Sequence, residues 1–318
     1  MVTDNIISIL KEAESIAILP HISLDGDGLG SSLAFACALG KLNKHGTVYL
    51  EEAIPHIYSF LPGSQQVRFY EGEPPKVDVA VALDSGDIER LGKRAAIFNN
   101  AGITVNIDHH QTNSMFAAHN YVQTGASAVG EIIYQFIKMM GLELDEKIAT
   151  CLYVAIVADT GGFRFSNTTA TTHQIAADLI SNGVNVSEIS RKVFDSVSRE
   201  KVKLMGAAIN SLELFEEGKV AFIAVTKEMI GSVGASDEDC DGIVNIGRSI
   251  NGVEAAVMLK ERDNGEIKVN LRSNSYVDVA AIAGMFSGGG HKRAAGCTIK
   301  REISEAKKMI LNEIVKVL

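Results

Sequence analysis

The sequence predicts an α/β protein with two domains, and three features indicate this class. Short apolar runs alternate with amphipathic stretches in the first half, which is the pattern of a parallel sheet covered by helices. A chain of 318 residues is longer than one hydrophobic core usually serves. Beyond Gly183 a charged helical stretch is followed by new strand-like runs. We therefore predict a parallel-sheet domain at 1–185, a helical linker at 186–205 and a smaller mixed α/β domain at 206–318.

The individual elements are predicted from hydrophobic spacing and from the residues that end each run. Apolar or β-branched runs predict the first strands at 15–20, 46–51, 77–84 and 103–108. Helical spacing predicts helices at 131–141, 146–159 and 166–182. The second half of 146–159 also has strand character. Later in the chain we predict strands at 219–226, 253–262 and 266–273 and a closing helix at 304–318.

The composition indicates a cytoplasmic protein that acts on small substrates. The formal net charge of −9 does not provide the basic face that proteins binding long nucleic acids usually carry. The 4 Cys lie far apart, which favours reduced thiols over disulfides or a zinc site. The first residues lack the pattern of a secretory signal, and the most apolar runs are too short to cross a bilayer. We therefore expect no membrane partner and no long nucleic acid.

Four Asp/His clusters follow apolar segments of the first half. The first is the run from His21 through Asp25 and Asp27, which the sequence predicts as a Gly-containing loop between a strand and a helix. The other three are Asp84-Ser-Gly-Asp87, Asp108-His109-His110 and Asp159-Thr-Gly-Gly. Carboxylates with some imidazole suit Mn²⁺ or Mg²⁺. Any one cluster alone is equally typical of an ordinary turn.

The recurrence of the clusters carries more information than any single one. In open α/β sheets, ligands bind outside the carboxyl ends of the strands, so the four clusters are expected to meet at one edge. So much negative charge in one place would repel itself without cations. The sequence therefore predicts a site with two divalent cations.

The motifs resemble those of a known family over nearly the whole chain. HxxLDGDGxGS, LDSGD, DHH and ADTGGFRF, in this order, are similar to the DHH phosphoesterase superfamily. LRSNS at 271–275 and GGGHKRAAG at 288–296 resemble its DHHA1-type C-terminal domain. Length and motifs look most like the NrnA-type subgroup of nanoRNA phosphodiesterases and pAp phosphatases. Leu24 stands where many members carry Pro, which leaves the ligand positions intact. The resemblance implies an active site in a cleft between the two domains.

The resemblance also implies roles for the residues of the clusters. One cation would be held by His21, Asp25 and Asp84. The other would be held by Asp27, Asp84, His109 and Asp159, with Asp84 bridging the two. Asp108 would orient a neighbouring His, and His110 would face the substrate phosphate as a catalytic residue. We expect Mn²⁺ to be preferred, with Mg²⁺ as the alternative.

Substrate binding is predicted for the Gly-rich segment near the C-terminus. Ser287–His291 is expected to be a flexible loop whose amides donate hydrogen bonds to phosphate, with basic residues nearby. The resemblance assigns the same region to substrate. The candidate substrate-binding residues are Arg164, Arg272, Asn274, Gly289, Gly290 and His291. For Arg164, an ordinary solvated loop Arg is an equal alternative, and Arg248 is a weaker candidate.

The predicted function is hydrolysis of short oligonucleotides by two metals. The substrates would be nanoRNA and linear dinucleotides such as pApA, with pAp dephosphorylation as a further activity. An inorganic pyrophosphatase shares the N-terminal motifs, but the GGGH segment opposes it. A RecJ-type exonuclease is disfavoured by the short, acidic chain. A non-catalytic nucleotide sensor is a different class of alternative, disfavoured because every expected ligand position is filled. A homodimer is left open.

Overall fold

The computed structural model describes residues 2–318. The chain divides into two compact units, of which the first ends at Ser196 and the second spans Val197–Leu318. This division falls inside the linker predicted at 186–205. Each unit is built on one six-stranded sheet.

The first unit alternates helices and strands. Its elements are α1 (Val2–Glu12), β1 (Ser15–Pro20), α2 (Gly26–Lys41), β2 (His45–Leu50), β3 (Arg68–Phe69), β4 (Val79–Leu83), α3 (Ala95–Asn100), β5 (Ile103–Asp108), β6 (His119–Val122), α4 (Val129–Met139), α5 (Glu146–Asp159), α6 (Ala170–Ser181) and α7 (Val186–Val193). All strand pairs are parallel, in the order β3-β2-β1-β4-β5-β6. This confirms the predicted parallel α/β class.

The central strands are buried on both faces, which explains their continuous apolar sequences. Val79, Val81 and Leu83 of β4 pack into the larger core cluster with α2, α4 and α5. Ala80 and Ala82, which alternate with them, belong to the cluster on the opposite face. Burial on both sides leaves only the ends of these strands for polar chemistry.

The second unit has a mixed sheet. Its elements are α8 (Arg199–Ile209), β7 (Glu213–Phe215), β8 (Val220–Val225), α9 (Lys227–Val233), α10 (Val244–Arg248), β9 (Ala255–Glu261), β10 (Ile267–Ser273), α11 (Val279–Gly284), β11 (Gly289–His291), β12 (Ala294–Ile299) and α12 (Ile303–Val315). The strand order is β11-β12-β10-β9-β8-β7. Only β8 and β9 are parallel among the pairs of residues 197–318. The predicted mixed α/β class is confirmed.

Two local predictions are wrong. Gly289–His291 forms strand β11 instead of a flexible loop, because its backbone pairs with β12 through Gly296 and Ala295. Glycine disfavours strands by itself, so only this pairing makes the segment extended. Asp27 lies in the first turn of α2 instead of a loop. The helix predicted at 146–159 is confirmed with these bounds, and the alternative of a strand in its second half is not realised.

No helix among residues 2–318 is long and apolar enough to cross a membrane.

Candidate metal centre

The four Asp/His clusters meet at the carboxyl edge of the first sheet. His21 follows β1, Asp84 follows β4, and Asp108 ends β5 with His109 directly after it. These three strands are neighbours in the order β1-β4-β5, so their ends share one edge. Two helix ends complete the group: α2 begins around Asp25 and Asp27, and α5 ends at Asp159.

One part of this group surrounds the imidazole of His21. Its Nε2 lies 3.4 Å from Asp25 Oδ2 and 3.4 Å from Asp84 Oδ2. Two atoms that bind one cation at about 2.1 Å are separated by about 3.0–3.5 Å. The observed spacing is therefore that of ligands sharing a cation, and it is longer than a good N–H···O hydrogen bond.

A second part surrounds the imidazole of His109. Its Nε2 lies 3.5 Å from Asp159 Oδ2 and 3.6 Å from Asp84 Oδ1. Three possible ligand atoms lie within 4.8 Å of one another here, one each from Asp27, His109 and Asp159. This set can hold a second cation.

The carboxylate of Asp84 lies between the two parts, with Oδ2 toward His21 and Oδ1 toward His109. Its side chain is buried, and Oδ1 has no hydrogen-bond partner among residues 2–318. A buried oxygen without a donor is costly unless another group satisfies it. A cation shared with His109 would do so, and the residues present therefore fit a pair of cations bridged by Asp84.

The backbone of Asp84 is also unusual, with a φ of 57°. A non-glycine residue in the left-handed region is strained, and such strain concentrates at functional sites. The amide of Asp84 donates to Ile107 O at 3.1 Å, which holds the residue against the end of β5.

Helix N-termini hold the two Asp residues of the first cluster. Asp27 Oδ2 accepts from the amide of Val129 at 2.6 Å, and its Oδ1 accepts from Gly130 at 2.9 Å, at the start of α4. Asp25 caps α2 by accepting from the amide of Gly28 at 2.9 Å. A side chain at Gly28 would place its Cβ 3.3 Å from His21 Nε2, so glycine keeps this space open.

Backbone carbonyls orient the two imidazoles. His21 Nδ1 lies 2.7 Å from Ile22 O, and His109 Nδ1 lies 3.2 Å from Ala126 O. Donation from Nδ1 leaves Nε2 as the ligand atom. The Arg90 guanidinium also lies 3.0 Å from His21 Nδ1, but a protonated Nδ1 bonds only to the carbonyl.

His110 is held in a different way. Its Nδ1 lies 2.7 Å from Oδ1 of Asp108, whose side chain is completely buried. Burial opposes the positive charge on His110, but the hydrogen bond to Asp108 and the charge of Asp84 raise its pKa above the ordinary value. Burial also opposes the negative charge of Asp108, while the bond to His110 lowers its pKa.

The electrostatics show how crowded the carboxylates are. Burial raises the pKa of Asp159 to about 7, and the charge of Asp84 adds to this against the pull of His109. Burial and the charge of Asp84 raise the pKa of Asp27 well above its usual range. Burial opposes protonation of His109, yet the carboxylates around it raise its pKa to about 9. Positive charge is therefore favoured here, and divalent cations supply it.

The substrate candidates of the second unit lie on its sheet. Arg272 of β10 and His291 of β11 both lie opposite Ala294 of the intervening strand β12. Directly opposite residues point to the same face, so the two side chains flank a small residue at about 10 Å between backbones. Gly289 lies opposite Gly296 on the same strand pair. The result is a flat platform of small residues with basic side chains on both sides.

The other candidate substrate-binding residues contact the backbone or a side chain of their own unit. Asn274 donates its amide to Arg248 O at 2.9 Å and to Val253 O at 2.8 Å. Arg164 donates to Gly161 O at 2.6 Å, with its guanidinium 5.8 Å from the ring centroid of Phe194. Gly290 pairs with Ala295 in β11. Their roles toward substrate stay predictions.

Sequence reasoning missed Asn113, whose Nδ2 lies 2.6 Å from Asp108 Oδ2. The only sequence signal is its place in the DHHQTN run just after β5, at the same edge as the Asp/His clusters.

A parallel sheet with an Asp/His edge, followed by a mixed sheet, defines a class of phosphoesterases. Residues 15–156 match the DHH family, N-terminal domain, and residues 217–318 match the DHHA1 domain. The chain belongs to the DHH phosphoesterase family, whose members are metal-dependent hydrolases.

The similar proteins are more specific. The chain is 32% identical over 309 residues to the bifunctional oligoribonuclease and PAP phosphatase NrnA of Thermus thermophilus, covering 96% of this chain and 91% of that one. It is 28% identical to the protein of the same name from Bacillus subtilis, covering 90% of each. A crystal structure of an exopolyphosphatase-related protein from Bacteroides fragilis matches with a TM-score of 0.92 at 28% identity, over 99% of this chain and 96% of that one.

Proposed function

We propose that the chain is a two-metal phosphodiesterase that hydrolyses nanoRNA and linear dinucleotides such as pApA to mononucleotides. We further propose that it dephosphorylates pAp. The observation that carries this proposal is the buried Asp84 carboxylate, which offers one oxygen to each of two Asp/His groups. The names of the relatives from T. thermophilus and B. subtilis support the substrate class.

The six predicted ligands would hold two cations. His21, Asp25 and Asp84 would bind the first, and Asp27, Asp84, His109 and Asp159 would bind the second. A bound pair supplies a water of lowered pKa and positive charge toward the phosphoryl oxygens. Imidazole ligands favour Mn²⁺ over Mg²⁺.

The protein's own groups would act on the substrate phosphate. His110, held by Asp108 at Nδ1, would contact the substrate phosphate and stabilise the charge that develops there. Because Asp108 is completely buried, it would act on His110 and not on the substrate. We propose His110 and Asp108 as the catalytic pair.

The platform of the second unit would bind the nucleotide. Arg272 and His291 would contact phosphate from the two sides of Ala294. Gly289 and Gly290 lie in the edge strand β11, and whichever of their two amides points away from β12 would donate to the phosphate. Small residues between the basic side chains leave room for a sugar or base. We also propose Asn274 and, from the first unit, Arg164 as substrate contacts. A cytoplasmic location stays a prediction from sequence, and a homodimer stays open.

The test is product release from pAp, pApA, a short RNA of several nucleotides and pyrophosphate, each with Mn²⁺, with Mg²⁺ and with chelator. We expect metal-dependent mononucleotide from pApA and RNA, and phosphate from pAp. Phosphate from pyrophosphate alone would contradict the substrate class. The absence of any product would favour a non-catalytic nucleotide-binding protein.

A further inference from the structure

We infer that Asn113 is a positioning residue of the hydrolytic reaction, which fixes Asp108 and, through it, the ring of His110. The inference rests on the proposed function for its kinetic consequence. Asn113 lies in the loop after β5, and its Nδ2 lies 2.6 Å from Asp108 Oδ2. The amide of Asn113 also donates to His110 O at 3.2 Å, so the same loop turn joins all three residues.

The hydrogen bonds of Asp108 show why the contact matters. Its side chain is 0% exposed, so its carboxylate depends on donors from neighbouring residues. Oδ1 faces His110 Nδ1 at 2.7 Å, and Oδ2 faces Asn113 Nδ2 at 2.6 Å. One donor on each oxygen determines the plane of the carboxylate, and this plane determines the direction of the bond to His110. Without Asn113, one oxygen of a buried carboxylate loses its closest donor.

Asn113 is itself held in one orientation. Its Oδ1 accepts from the amide of Met115 at 2.7 Å, so its Nδ2 must be the group that faces Asp108. The same Nδ2 lies 2.8 Å from Oδ1 of Asn106, a completely buried side chain of β5. Asn106 in turn donates to Ser85 O at 3.1 Å, next to the bridging carboxylate. A rigid strand therefore supports the loop residue.

The chemistry of the position favours a neutral donor. A carboxylate at 113 would repel Asp108, and an aliphatic side chain would leave Oδ2 without this bond. Asparagine supplies two N–H groups and an acceptor in one rigid plane. The acceptor faces the amide of Met115, and the two N–H groups face Asp108 and Asn106, with Ser85 O as a further acceptor 3.2 Å from Nδ2. The amide oxygen of Asn113 accepts from the amide of Met115, so the side chain presents its nitrogen, which cannot ligate a cation, to Asp108.

The expected effect is on the chemical step. In Asn113→Ala, His110 is no longer held in a fixed direction, so we expect kcat for pApA to fall about 10–100-fold, as for other outer residues of metal sites. KM should change much less, because the misplaced group acts mainly in the transition state. Bound Mn²⁺, measured by atomic absorption, should stay at the wild-type level.

A double-mutant cycle with His110→Ala separates positioning from a general loss of structure. If Asn113 acts through His110, the variant with both changes should be no slower than His110→Ala alone. Multiplied losses would overturn the inference. Asn120→Ala is the matched control, since Asn120 lies in the neighbouring strand β6 and its side chain bonds only to the backbone of Met115 and Ala117, including Ala117 O at 2.7 Å. It should keep the wild-type kcat.

A second measurement does not depend on turnover. Imidazole ¹⁵N spectra of the metal-free protein, assigned with His110→Ala, should show the His110 signals moved in Asn113→Ala and unmoved in Asn120→Ala. Unchanged His110 signals would overturn the inference even if no substrate were hydrolysed, whereas an inactive wild type with moved signals would overturn only the proposed function. If Asn113→Ala does not fold, as judged by circular dichroism, Asn113→Gln supplies the same comparison with a displaced amide.

Discussion

Asp84 combines structural features that rarely occur together in one residue. It is buried, its backbone is left-handed, and its two oxygens face different imidazoles. Its position at the end of β4, between β1 and β5, explains why this one carboxylate reaches both groups. Asp87, three residues later, accepts instead from the amide of Arg90 at 2.9 Å and so caps a local turn. Two Asp residues of one motif therefore have different tasks.

Mutation should separate the roles of Asp84 and Asp87. Asp84→Ala should abolish hydrolysis at any Mn²⁺ concentration and reduce bound metal from two ions to one or none, because both groups lose a ligand. Metal content and turnover of pApA check this. Asp87→Ala, the matched control, should keep both metals. Retained turnover in Asp84→Ala would show that the two-metal arrangement is wrong.

At the scale of elements, helix α2 joins the site to the core. Its N-terminus carries Asp25 and Asp27, and its body packs closely against α5, which ends at the proposed ligand Asp159. Gly30 permits this approach, because a Cβ there would lie 2.5 Å from Cys151 O. The packing of two helices therefore determines the separation of carboxylates that lie far apart in sequence.

We predict opposite effects for two glycines of α2. Gly30→Ala should destabilise the protein and displace Asp159 relative to Asp27, because backbone atoms of α5 cannot move independently. Gly40→Ala meets no atom within 4 Å, so it should raise the free energy of unfolding by about 0.5–1 kcal/mol through helix propensity. Urea unfolding measures both. Equal effects of the two changes would contradict the close packing of α2 on α5.

Asp78 connects two strands at the opposite end of the sheet. Asp78 lies just before β4, and Glu14 directly precedes Ser15, the first residue of β1. Oδ2 of Asp78 accepts from the amides of Glu14 and Ser15, both at 2.9 Å. The bonds from Ser15 and Glu14 lower the pKa of Asp78. A lowered folded-state pKa stabilises the fold above the unfolded value of 3.8, and this contribution is lost as the pH falls below that value.

The free energy of unfolding of the wild type should therefore exceed that of Asp78→Asn at pH 6. This difference in free energy should narrow as the pH falls below 4. Urea unfolding at several pH values, in the presence of chelator, tests this. A margin that stays constant with pH would show that the charge of Asp78 makes no contribution.

At the scale of the whole molecule, the proposed function assigns chemistry and substrate recognition to different sheets. The first sheet presents the Asp/His edge, and the second presents a platform between Arg272 and His291. The net charge of −9 provides no general attraction for a long polyanion. Local basic residues and cations must therefore hold the substrate, and a few nucleotides are enough to contact them.

Substrate length should consequently determine the rate. We predict kcat/KM for pApA or a trinucleotide to exceed that for a 30-nucleotide single-stranded RNA at least tenfold, measured in Mn²⁺ at physiological salt. Arg272→Ala should raise KM for the short substrates without loss of bound metal. Equal rates on short and long RNA would contradict recognition by a few local contacts.

The strands of the site could be predicted from sequence because their signal is local. The runs 15–20 and 103–108 have the observed bounds, since buried parallel strands are continuously apolar and end where polar residues begin. The short strands β6 and β11 were missed because each is too short to show a pattern and exists through pairing with β5 or β12. The two glycines of β11 also disfavour a strand by themselves.

The sequence by itself determined the α/β class, the order of the strands along the chain and the residue types suited to hard cations. It also carried the motifs of the DHH family. Only the tertiary structure decided that Asp84 faces both imidazoles, that α4 amides hold Asp27, and that Asn113 reaches Asp108. The physical reason is that hydrophobic periodicity depends on residues that are close in sequence. The direction of a buried side chain depends instead on hydrogen-bond donors from distant segments.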